Sequence, residues 1–562
     1  MTMTRPWTQF YGETAQAVDE IKAPPLISIE TLMENAVAAY GDAPFVTTVL
    51  PNGANATLSF KEVATASRDF AAYLQSVVKL PKGAVIAVQA PNCIAYTVAM
   101  IGVLRAGFIL SNVNPLYTAK ETRQQLEDCG AQAIIFADLF GDQIETATDG
   151  RDDIHLIKVS VTDFFPPLKK AVLDAALKYV RRLVPAMNKP HTNFLAALKQ
   201  GRGHAFSPPS AEAANDTTAD FYQYSGGTTG RSKGVQLSFA GLMHNISQVN
   251  ALQPDVFERR NSVTLLVLPL YHMFGFYMAV SALRLGGHLI LAPSPRPLSN
   301  LKPAFEKFAP DVFPGVNTLF AYLAQEPWFS QYASHIELTV TGAMALNPSV
   351  AREWRELTGS QIVESYGMTE TTTVLSSNPP GPTYREGSVG LPIPGSDIAI
   401  LKDDDSWAAT GEPGEIVARG PQVMTGYLNA PELNAAAFHD GWLRTGDIGY
   451  LDEDGYLFLV DRKKDLIIVS GFNVFPGEIE SVVADHPGVL EAAVVGAPDA
   501  ASGERPIAFV VRSDPAVSVE GLKDHCAAQL TNYKRPRDFR FIDALPKSPV
   551  GKVLRRELRD LL

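Results

Sequence analysis

Residues 224–234, YSGGTTGRSKG, most strongly indicate both the fold and the chemistry of this chain. The stretch contains glycines that let the backbone turn so that its N–H groups converge, namely Gly226, Gly227, Gly230 and Gly234. Hydroxyl and cationic side chains lie between them, namely Ser225, Thr228, Thr229, Arg231, Ser232 and Lys233. These are the donors that hold a phosphate group, so we predict a phosphate-binding loop.

The loop is not the common nucleotide P-loop. In that motif a Gly-Lys pair precedes Ser or Thr, whereas Lys233 lies between Ser232 and Gly234. A flexible, solvated loop is the alternative interpretation of any tract rich in Gly, Ser and Thr. Residues 221–224 form an aromatic strand candidate, however, and residues 234–237 begin another apolar run. Ordered elements on both sides favour phosphate binding.

Five further motifs follow in order along the chain. They are ESYGMTE at 364–370, GWLRTGD at 441–447, DRKKD at 461–465, SGFNVFPGEIE at 470–480 and PKSPVGKVLR at 546–555. With the phosphate loop, in this order and spacing, they resemble the adenylate-forming superfamily of acyl-CoA synthetases, luciferases and peptide-synthetase adenylation domains. The chain is most similar to bacterial long-chain fatty acyl-CoA ligases, from about residue 29 to its end.

The resemblance implies ATP-dependent ligation of a long-chain fatty acid to coenzyme A through an acyl-AMP intermediate. ATP, Mg²⁺ and coenzyme A are the implied cofactors and co-substrates, and AMP and pyrophosphate the implied products. Two alternatives stay open: a fatty acyl-AMP ligase that loads a carrier protein, and a catalytically silent fatty-acid-binding or uptake protein. Residues 370–464 show no unexplained insertion of the kind typical of the first class, and mere lipid binding does not need Glu370, Asp447 and Lys552.

Length and patterning predict an α/β fold with more than one domain. The 562 residues exceed the roughly 250–300 at which a single core stops growing. Strands and helices alternate over most of the chain, and Gly and Pro become closely spaced from Gly411 onward. We predict a large N-terminal domain of layered α/β sheets with a β-rich subdomain, residues 1–461. A small, mobile α/β domain, residues 462–562, is expected to carry the catalytic lysine.

Composition restricts the partners and the compartment. A net charge of −12 argues against a general nucleic-acid surface, and three scattered cysteines argue against a disulfide framework or a zinc site. The first residues lack the apolar stretch of a secretory signal, so we expect a cytoplasmic protein. Residues 263–283 are apolar enough to suggest a membrane span, but Pro269, His272 and Gly275 predict a strand, a loop and a core helix instead. The sequence leaves a homodimer open.

The resemblance assigns the ESYGMTE motif to the metal and the nucleotide. It makes Glu370 and Ser225 the magnesium ligands, Thr369 the hydroxyl on the α-phosphate, and Tyr366 the ring stacked on adenine. A helix-capping Thr-Glu pair and a core tyrosine are the alternative interpretations.

The GWLRTGD and DRKKD motifs are assigned to the ribose. By the resemblance, Asp447 accepts both ribose hydroxyls, a task that suits an ionised carboxylate, and Arg462 lies beside it. An aspartate in a turn is the alternative interpretation of Asp447.

Two lysines are assigned to the moving domain. The resemblance makes Lys552 the catalytic cation that bridges the incoming carboxylate and the α-phosphate. A solvated lysine is its alternative. Lys464 matches the hinge about which the small domain turns, bringing Ser470, Gly471 and Phe472 to the thiol tunnel.

The acyl group is expected in an apolar slot. By the resemblance, His272 lies beside the acyl carboxylate, although a histidine with apolar neighbours is also typical of a core. The expected wall comprises Tyr271, Phe274, Gly315, Val316, Asn317 and the TGAM turn at 341–344. Gly342 and Ala343 of that turn are site candidates, and Ala343 stands where relatives are often richer in glycine.

Residues 169–189 contain a candidate membrane contact. Leu173, Ala176, Leu177, Val180 and Val184 share one helical face over residues 169–185, and basic residues lie near it, namely Lys170, Lys178, Arg181 and Arg182. This layout is typical of an interfacial helix at the inner face of a membrane, and an ordinary surface helix packed on the core is the alternative.

Overall fold

The computed structural model describes residues 5–20, 28–209, 219–225, 232–344, 346–378, 380–470, 472–499, 502–548 and 551–562. Several predicted site residues therefore lie outside the described residues, namely Gly226, Gly227, Thr228, Thr229, Gly230, Arg231, Gly471 and Pro549. Within the described ranges the chain is mixed α/β, as predicted, and its strands form four sheets.

A nine-stranded sheet, sheet A, forms one layer of the large N-terminal part. Its spatial order is β16 (Leu391–Pro392), β15 (Ser376–Asn378), β14 (Ile362–Tyr366), β13 (Leu338–Thr341), β12 (Val312–Gly315), β10 (Val263–Leu266), β11 (His288–Leu291), β1 (Pro44–Val49), β2 (Asn55–Ser59). The strands from β14 to β1 pair in parallel, so their carboxyl ends share one edge.

An eight-stranded sheet, sheet B, forms a second layer. Its order is β19 (Gly426–Tyr427), β9 (Lys233–Leu237), β8 (Phe221–Ser225), β4 (Ile109–Asn112), β3 (Val85–Gln89), β5 (Ala131–Ala137), β6 (His155–Val159), β7 (Thr192–Asn193). Strands β8 and β9 are antiparallel, with Ser225 opposite Lys233. Ordered strands thus lie on both sides of the phosphate-loop sequence, as predicted.

Two five-stranded sheets complete the chain. Sheet C is antiparallel and contains β17 (Asp397–Leu401), β18 (Gly414–Arg419), β20 (Phe438–His439), β21 (Trp442–Leu451) and β22 (Leu457–Arg462). Sheet D contains β23 (Ile467–Val469), β24 (Phe472–Val474), β25 (Val489–Asp499), β26 (Gly503–Arg512) and β27 (Asp538–Phe541). The β-rich region begins at Asp397, earlier than the predicted Gly411.

Helices cover and separate the sheets. They are α1 (Glu13–Glu20), α2 (Ile29–Tyr40), α3 (Phe60–Ala72), α4 (Ile94–Arg105), α5 (Ala119–Asp128), α6 (Gly141–Ala147), α7 (Pro167–Ala175), α8 (Phe194–Gly201), α9 (Phe239–Leu252), α10 (Pro254–Phe257), α11 (Met273–Leu285), α12 (Lys302–Phe308), α13 (Asn317–Ala324), α14 (Ser330–Ala333), α15 (Pro348–Thr358), α16 (Pro431–Ala437), α17 (Pro476–Ala484), α18 (Val519–Gln529) and α19 (Arg555–Arg559). Short 3₁₀ or π turns lie at Pro6–Phe10, Tyr73–Val78, Asp138–Phe140, Ala176–Val180, Leu298–Leu301, Thr369–Thr371, Lys463–Asp465 and Asn532–Lys534.

Helix α4 illustrates how the sequence builds the large core. Its residues, IAYTVAMIGVLR, are almost entirely apolar, and every one of them is buried. Its Gly102 lies so close to helix α3 that an added Cβ would be 2.8 Å from the Phe70 ring. The charged end is neutralised because Arg105 donates from Nε to Glu30 at 2.6 Å.

The apolar run at 263–283 folds as strand, loop and helix, as predicted. Helix α11 begins at Met273, and an added Cβ on Gly275 would lie 2.2 Å from the Pro269 carbonyl oxygen. No helix in the described part of the chain has the length and hydrophobicity to cross a membrane.

Candidate active site

Strands β14, β21 and β22 bring three predicted nucleotide residues together. The Tyr366 hydroxyl donates to Oδ2 of Asp447 at 2.9 Å, and Nε of Arg462 lies 3.4 Å from Oδ1. Asp447 and Arg462 are opposite one another in the antiparallel pair β21–β22. Burial, reinforced by the Asp447 carboxylate, holds the pKa of Tyr366 well above its usual value. The arrangement presents a carboxylate, held by a phenol and a guanidinium, whose oxygens can accept hydrogen bonds from hydroxyl groups.

Glu370 lies at the centre of a second polar cluster. It sits in the turn Thr369–Thr371, directly after β14, and only 6% of it is exposed. Its Oε1 accepts from the Tyr427 hydroxyl at 2.9 Å and from the Ser225 hydroxyl at 3.4 Å. The Lys233 ammonium lies 5.1 Å from the centroid of the Tyr427 ring. Glu370, from the ESYGMTE motif, therefore meets Ser225 and Lys233, from the two ends of the phosphate-loop sequence.

Tyr427 is a member of this cluster that sequence reasoning missed. It lies on the two-residue strand β19, which pairs with β9 through Tyr427 and Val235. A single tyrosine in the stretch MTGY carries no pattern that distinguishes it from a core residue. Only the pairing of β19 with β9 places its hydroxyl on Glu370.

The oxygen donors at Glu370 suit Mg²⁺. Among the residues described, no group of three or more His, Cys, Asp and Glu side chains could hold a metal on its own. Mg²⁺ commonly binds through one or two carboxylates plus substrate phosphates and keeps several waters. The Glu370 carboxylate and the Ser225 hydroxyl fit that mode.

Lys552 lies in a tight loop of the small domain. The Ser548 N–H donates to the Lys552 carbonyl at 2.8 Å, and the Lys552 N–H donates to the Ser548 hydroxyl at 3.1 Å. Gly551 has φ +84°, and an added Cβ there would lie 3.2 Å from Val316 and 3.5 Å from the Met344 sulfur. The loop therefore packs against two segments of the predicted acyl wall.

Lys552 also lies in the field of the nucleotide residues. Burial is the main cause that lowers the pKa of Lys552 to about 7, and the positive charges of Arg462 and Lys464 lower it further. The Asp447 carboxylate acts in the opposite direction. The Lys552 loop thus lies near both the predicted acyl wall and the predicted ribose residues.

His272 is the N-cap residue of helix α11. Its Nδ1 accepts from the Phe274 N–H at 3.4 Å, so the ring caps the helix. Burial lowers the pKa of His272 to about 4, and the Lys552 charge contributes in the same direction. The imidazole is therefore neutral at physiological pH and can act as a hydrogen-bonding group beside a carboxylate.

The TGAM turn follows strand β13. Ala343 has φ +67°, a left-handed conformation that favours glycine, and an added Cβ on Gly342 would lie 3.2 Å from the Ser365 carbonyl oxygen. Partly buried Glu364 supports the turn, since Oε1 accepts from the Leu346 N–H at 3.1 Å. Burial raises the pKa of Glu364 to about 7. Sequence reasoning assigned no task to Glu364.

The predicted hinge is anchored on both sides of Lys464. Nζ of Lys463 lies 2.9 Å from Asp403 and 3.3 Å from Glu415, both in the sheet C region. Asp465 pairs with Arg555 at 3.4 Å and with Arg559 at 3.0 Å, both in helix α19 of the small domain. Lys464 itself has its pKa lowered, by burial first and by Arg462 second. The two halves of the turn therefore belong to different bodies.

The predicted interfacial helix differs from the expectation in three respects. Helix α7 and the π turn Ala176–Val180 form this segment, which ends at Val180 rather than near residue 185. Leu173 and Leu177, from the face predicted to be interfacial, pack against the large core. Lys170 is not a free cation, because it pairs with Asp163 at 3.1 Å and Asp174 at 2.8 Å. Leu173 and Leu177 thus pack as the surface-helix alternative predicts, whereas Val180 of the same face is exposed.

Val180 and four other apolar side chains of the same segment are exposed. These side chains are Leu168, Val172, Tyr179, Val180 and Leu183, with 85% of Leu168 and 77% of Val180 in solvent. Exposed cations accompany them, namely Lys169, Lys178, Arg181 and Arg182. We refer to these nine residues as the exposed helical patch.

Comparisons with known proteins agree with this geometry. The family model described as AMP-binding enzyme matches residues 33–428, and that of the AMP-binding enzyme C-terminal domain matches residues 478–552. A long-chain-fatty-acid–CoA ligase of Escherichia coli O157:H7 is 40% identical over 561 residues, covering 99% of this chain and 98% of the relative. A second long-chain-fatty-acid–CoA ligase, from Haemophilus influenzae, is 40% identical and covers 95% and 94% of the two chains.

A solved structure has the same fold. It is the ATP-bound MatB of Rhodopseudomonas palustris, with a TM-score of 0.79 at 28% identity. The match covers 95% of this chain and 99% of MatB.

Proposed function

The chain belongs to the family of AMP-binding enzymes, and we propose that it joins a long-chain fatty acid to coenzyme A with consumption of ATP. The placement of Lys552 between the acyl wall and the Asp447–Arg462 pair is the observation that carries the proposal. A ligase of this kind must bring a carboxylate and the α-phosphate together, and that is where a cation is most useful.

In the first half-reaction, a carboxylate oxygen of the fatty acid attacks the α-phosphorus of ATP. The new oxygen–phosphorus bond forms as the bond to pyrophosphate breaks, giving acyl-AMP. Lys552 stabilises the charge that develops between the two anions, and neutral His272 positions the carboxylate. Thr369 donates to the α-phosphate, and Lys233 with the loop residues Gly226, Gly227, Thr228, Thr229 and Gly230 holds the departing phosphates.

The nucleotide is held by the residues that meet at strands β14, β21 and β22. Asp447 accepts the ribose hydroxyls beside Arg462, and Tyr366 lies at the adenine. Mg²⁺, held by Glu370 and Ser225, supplies charge neutralisation of the phosphates when bound. Gly342 and Ala343 form the turn between nucleotide and acyl group.

In the second half-reaction, the thiolate of coenzyme A attacks the acyl carbonyl. The carbon–sulfur bond forms and AMP leaves, while the thiol proton passes to solvent. We assign Lys464 as the hinge between residues 1–461 and 462–562, and Gly471 to the thiol path.

Pyrophosphate release with palmitate, measured with and without coenzyme A, tests the proposal. A coenzyme A ligase forms thioester and releases pyrophosphate over many turnovers only when coenzyme A is present. Sustained transfer to a carrier protein in place of coenzyme A would identify a fatty acyl-AMP ligase, and no pyrophosphate under any condition would identify a silent binding protein.

The exposed helical patch supports a contact with the inner face of the membrane in the cytoplasm. Apolar side chains such as Val180 insert at the lipid boundary, and Lys169, Lys178, Arg181 and Arg182 attract anionic headgroups. A fatty acid substrate partitions into membranes, so a ligase that docks there meets it at high local concentration.

The membrane contact is tested by replacing cations of the patch with glutamate, namely Lys169, Lys178, Arg181 and Arg182. Each reversal is expected to weaken binding to anionic vesicles by roughly 1 kcal/mol or more, because each cation contributes about that much near the surface. Turnover of detergent-dispersed palmitate should stay unchanged. Lys523→Glu, a surface reversal on the small domain, is the control; equal vesicle co-sedimentation for both variants would contradict the contact. Sedimentation of the free enzyme also measures whether it is a monomer or a homodimer.

A further inference from the structure

A cavity of about 230 Å³ lies directly beside the exposed helical patch. It is formed where the end of β5, helix α6 and the chain after Val180 meet, and its apolar wall includes Pro185 and Met187. Its lining comes from residues 138–187, and none of these residues belongs to the candidate active site. The cavity is therefore separate from the candidate active site.

Two cations line this cavity. Lys158 extends from strand β6, and Lys178 lies in the π turn Ala176–Val180. Neither forms an ion pair with any residue that the structure describes. Other lysines of the region are satisfied: Lys170 by Asp163 and Asp174, and Lys189 by the Thr148 and Arg151 carbonyls. Lys178 is exposed and its ammonium lies 5.4 Å from the centroid of the Tyr179 ring, but neither lysine has a carboxylate partner among the described residues. Two ammonium groups of this kind at one cavity suit a phosphate.

A carboxylate lies at the same cavity. Oδ1 of Asp138 is buried and has no hydrogen-bond partner among the described residues. Burial raises the pKa of Asp138 to about 6, and a side-chain hydrogen bond with Ser160 acts in the opposite direction. A buried acceptor without a donor is unfavourable, and a ligand with an N–H donor would relieve that cost.

We propose that the cavity binds the headgroup of a phospholipid whose phosphodiester carries a primary amine, with the phosphate on Lys158 and Lys178 and the ammonium on Asp138. Such a headgroup complements both kinds of charge in one molecule. Lys178 is flanked by Leu177, which packs inward, and Tyr179, which is exposed, so a lipid held there would keep its acyl chains on the patch side. This site depends on the membrane contact proposed above and specifies which lipid it selects.

The test compares two vesicle types of equal charge. Both contain the same fraction of phosphatidylglycerol, and the remainder is phosphatidylethanolamine in one and phosphatidylcholine in the other. The quaternary amine of choline has no N–H to donate to Asp138. The full-length enzyme is expected to bind the ethanolamine vesicles about tenfold more tightly, the scale of one charge-assisted hydrogen bond.

Variants separate the cavity from the general charge of the patch. Asp138→Asn and Lys158→Gln should each abolish the preference for ethanolamine vesicles. Lys169→Gln, which removes the same charge as Lys158→Gln but does not line the cavity, should weaken binding to both vesicle types equally and keep the preference. Turnover of detergent-dispersed palmitate shows that each variant is folded.

Soluble ligands distinguish the lipid from free phosphate and from a failed membrane contact. Calorimetry without vesicles should show that glycerophosphoethanolamine binds, that Asp138→Asn prevents it, and that inorganic phosphate binds far more weakly. Equal binding of inorganic phosphate would overturn the headgroup assignment, as would vesicle binding without any ethanolamine preference. Glycerophosphoethanolamine binding without vesicle binding would uphold the cavity and refute the membrane contact.

Discussion

At the scale of single residues, the environment of Lys552 determines what the site can do. The ammonium is largely buried, close to the positive groups of Arg462 and Lys464 and to the Asp447 carboxylate. A cation held among other cations is unfavourable until anions arrive. A fatty carboxylate and a triphosphate would supply them, so Lys552 is arranged for the complex rather than for the free enzyme.

Lys552→Ala should separate the two half-reactions. We expect adenylation to fall by on the order of 100- to 1000-fold, the scale for loss of one preorganised charge-stabilising donor. Synthetic acyl-AMP and coenzyme A should still yield thioester, because the second step does not use this ammonium. Single-turnover kinetics of each step measure both effects. Lys523→Ala, on the same domain, should leave both steps intact, and equal loss of both steps in Lys552→Ala would refute the assignment.

The pH dependence of adenylation should report the Lys552 proton. Its pKa is lowered to about 7 in the free protein, so the charged form is lost as pH rises above that value. Adenylation kcat/KM should therefore decline above about pH 7, since that parameter reports the free enzyme. Lys552→Arg keeps its charge at all these pH values and should flatten the decline. An unchanged decline in Lys552→Arg would assign it to another group.

The same shift has a consequence for stability. An unfolded lysine keeps its proton up to a higher pH than folded Lys552 does, so the unfolded state binds more protons between the two pKa values. Through Lys552, the free energy of unfolding therefore increases, and the folded protein becomes more stable, as pH rises from about 7 towards the ordinary lysine pKa.

At the scale of elements, the turn Lys463–Asp465 connects sheet C to the small domain. Lys463 is tied to the sheet C region and Asp465 to helix α19, while Lys464 lies between them. A rotation about Lys464 would break neither the ion pairs of Lys463 nor those of Asp465. We therefore infer that the hinge is a single residue whose φ and ψ can change at little cost to either side.

Lys464→Pro should impair the second half-reaction while preserving the first. Proline fixes φ near −65° and so restricts rotation at the hinge, whereas the adenylating arrangement need not change. Rates of adenylation and of thioester formation from supplied acyl-AMP measure the two effects. Lys464→Ala removes the side chain but leaves the backbone free, so it should retain both steps; equal impairment in the alanine variant would point to the ammonium instead.

At the scale of the whole molecule, the small domain occupies one of the two positions that the proposed mechanism requires. The Lys552 loop lies on the large domain, beside Val316 and Met344. Phe472, expected near the thiol path, is instead 56% exposed, and its ring packs 4.8 Å from Tyr533 of the same domain. We infer that this is the arrangement for adenylation and that thioester formation needs the small domain to turn.

Substrate preference is also a property of the assembled molecule. The acyl side combines Phe274 from α11, Val316 after β12 and Met344 after β13, all apolar. We expect kcat/KM for palmitate and oleate to exceed that for acetate and benzoate by several orders of magnitude, since each buried methylene contributes about 0.8 kcal/mol. Thioester formation across this panel is the measurement, and a preference for the aryl or short acid would refute the long-chain assignment.

The sequence by itself determined the α/β class, the ordered strands around the phosphate loop and the candidate residues of the six motifs. Those features depend on local chemistry: glycine-rich turns, apolar runs and charged groups at short spacing. Even there, the predicted apolar face of residues 169–185 is divided: Leu173 and Leu177 pack against the core and Val180 is exposed, because periodicity shows that a helix has an apolar face but not which neighbour covers it.

Only the tertiary structure decided which side chains meet. The hydrogen bond from Tyr427 to Glu370 depends on β19 pairing with β9, and the support of the TGAM turn depends on Glu364. The contact of Gly551 with Val316 joins residues more than two hundred positions apart. Such proximities arise from how sheets and domains pack, which depends on long-range contacts that no local pattern in a single chain encodes.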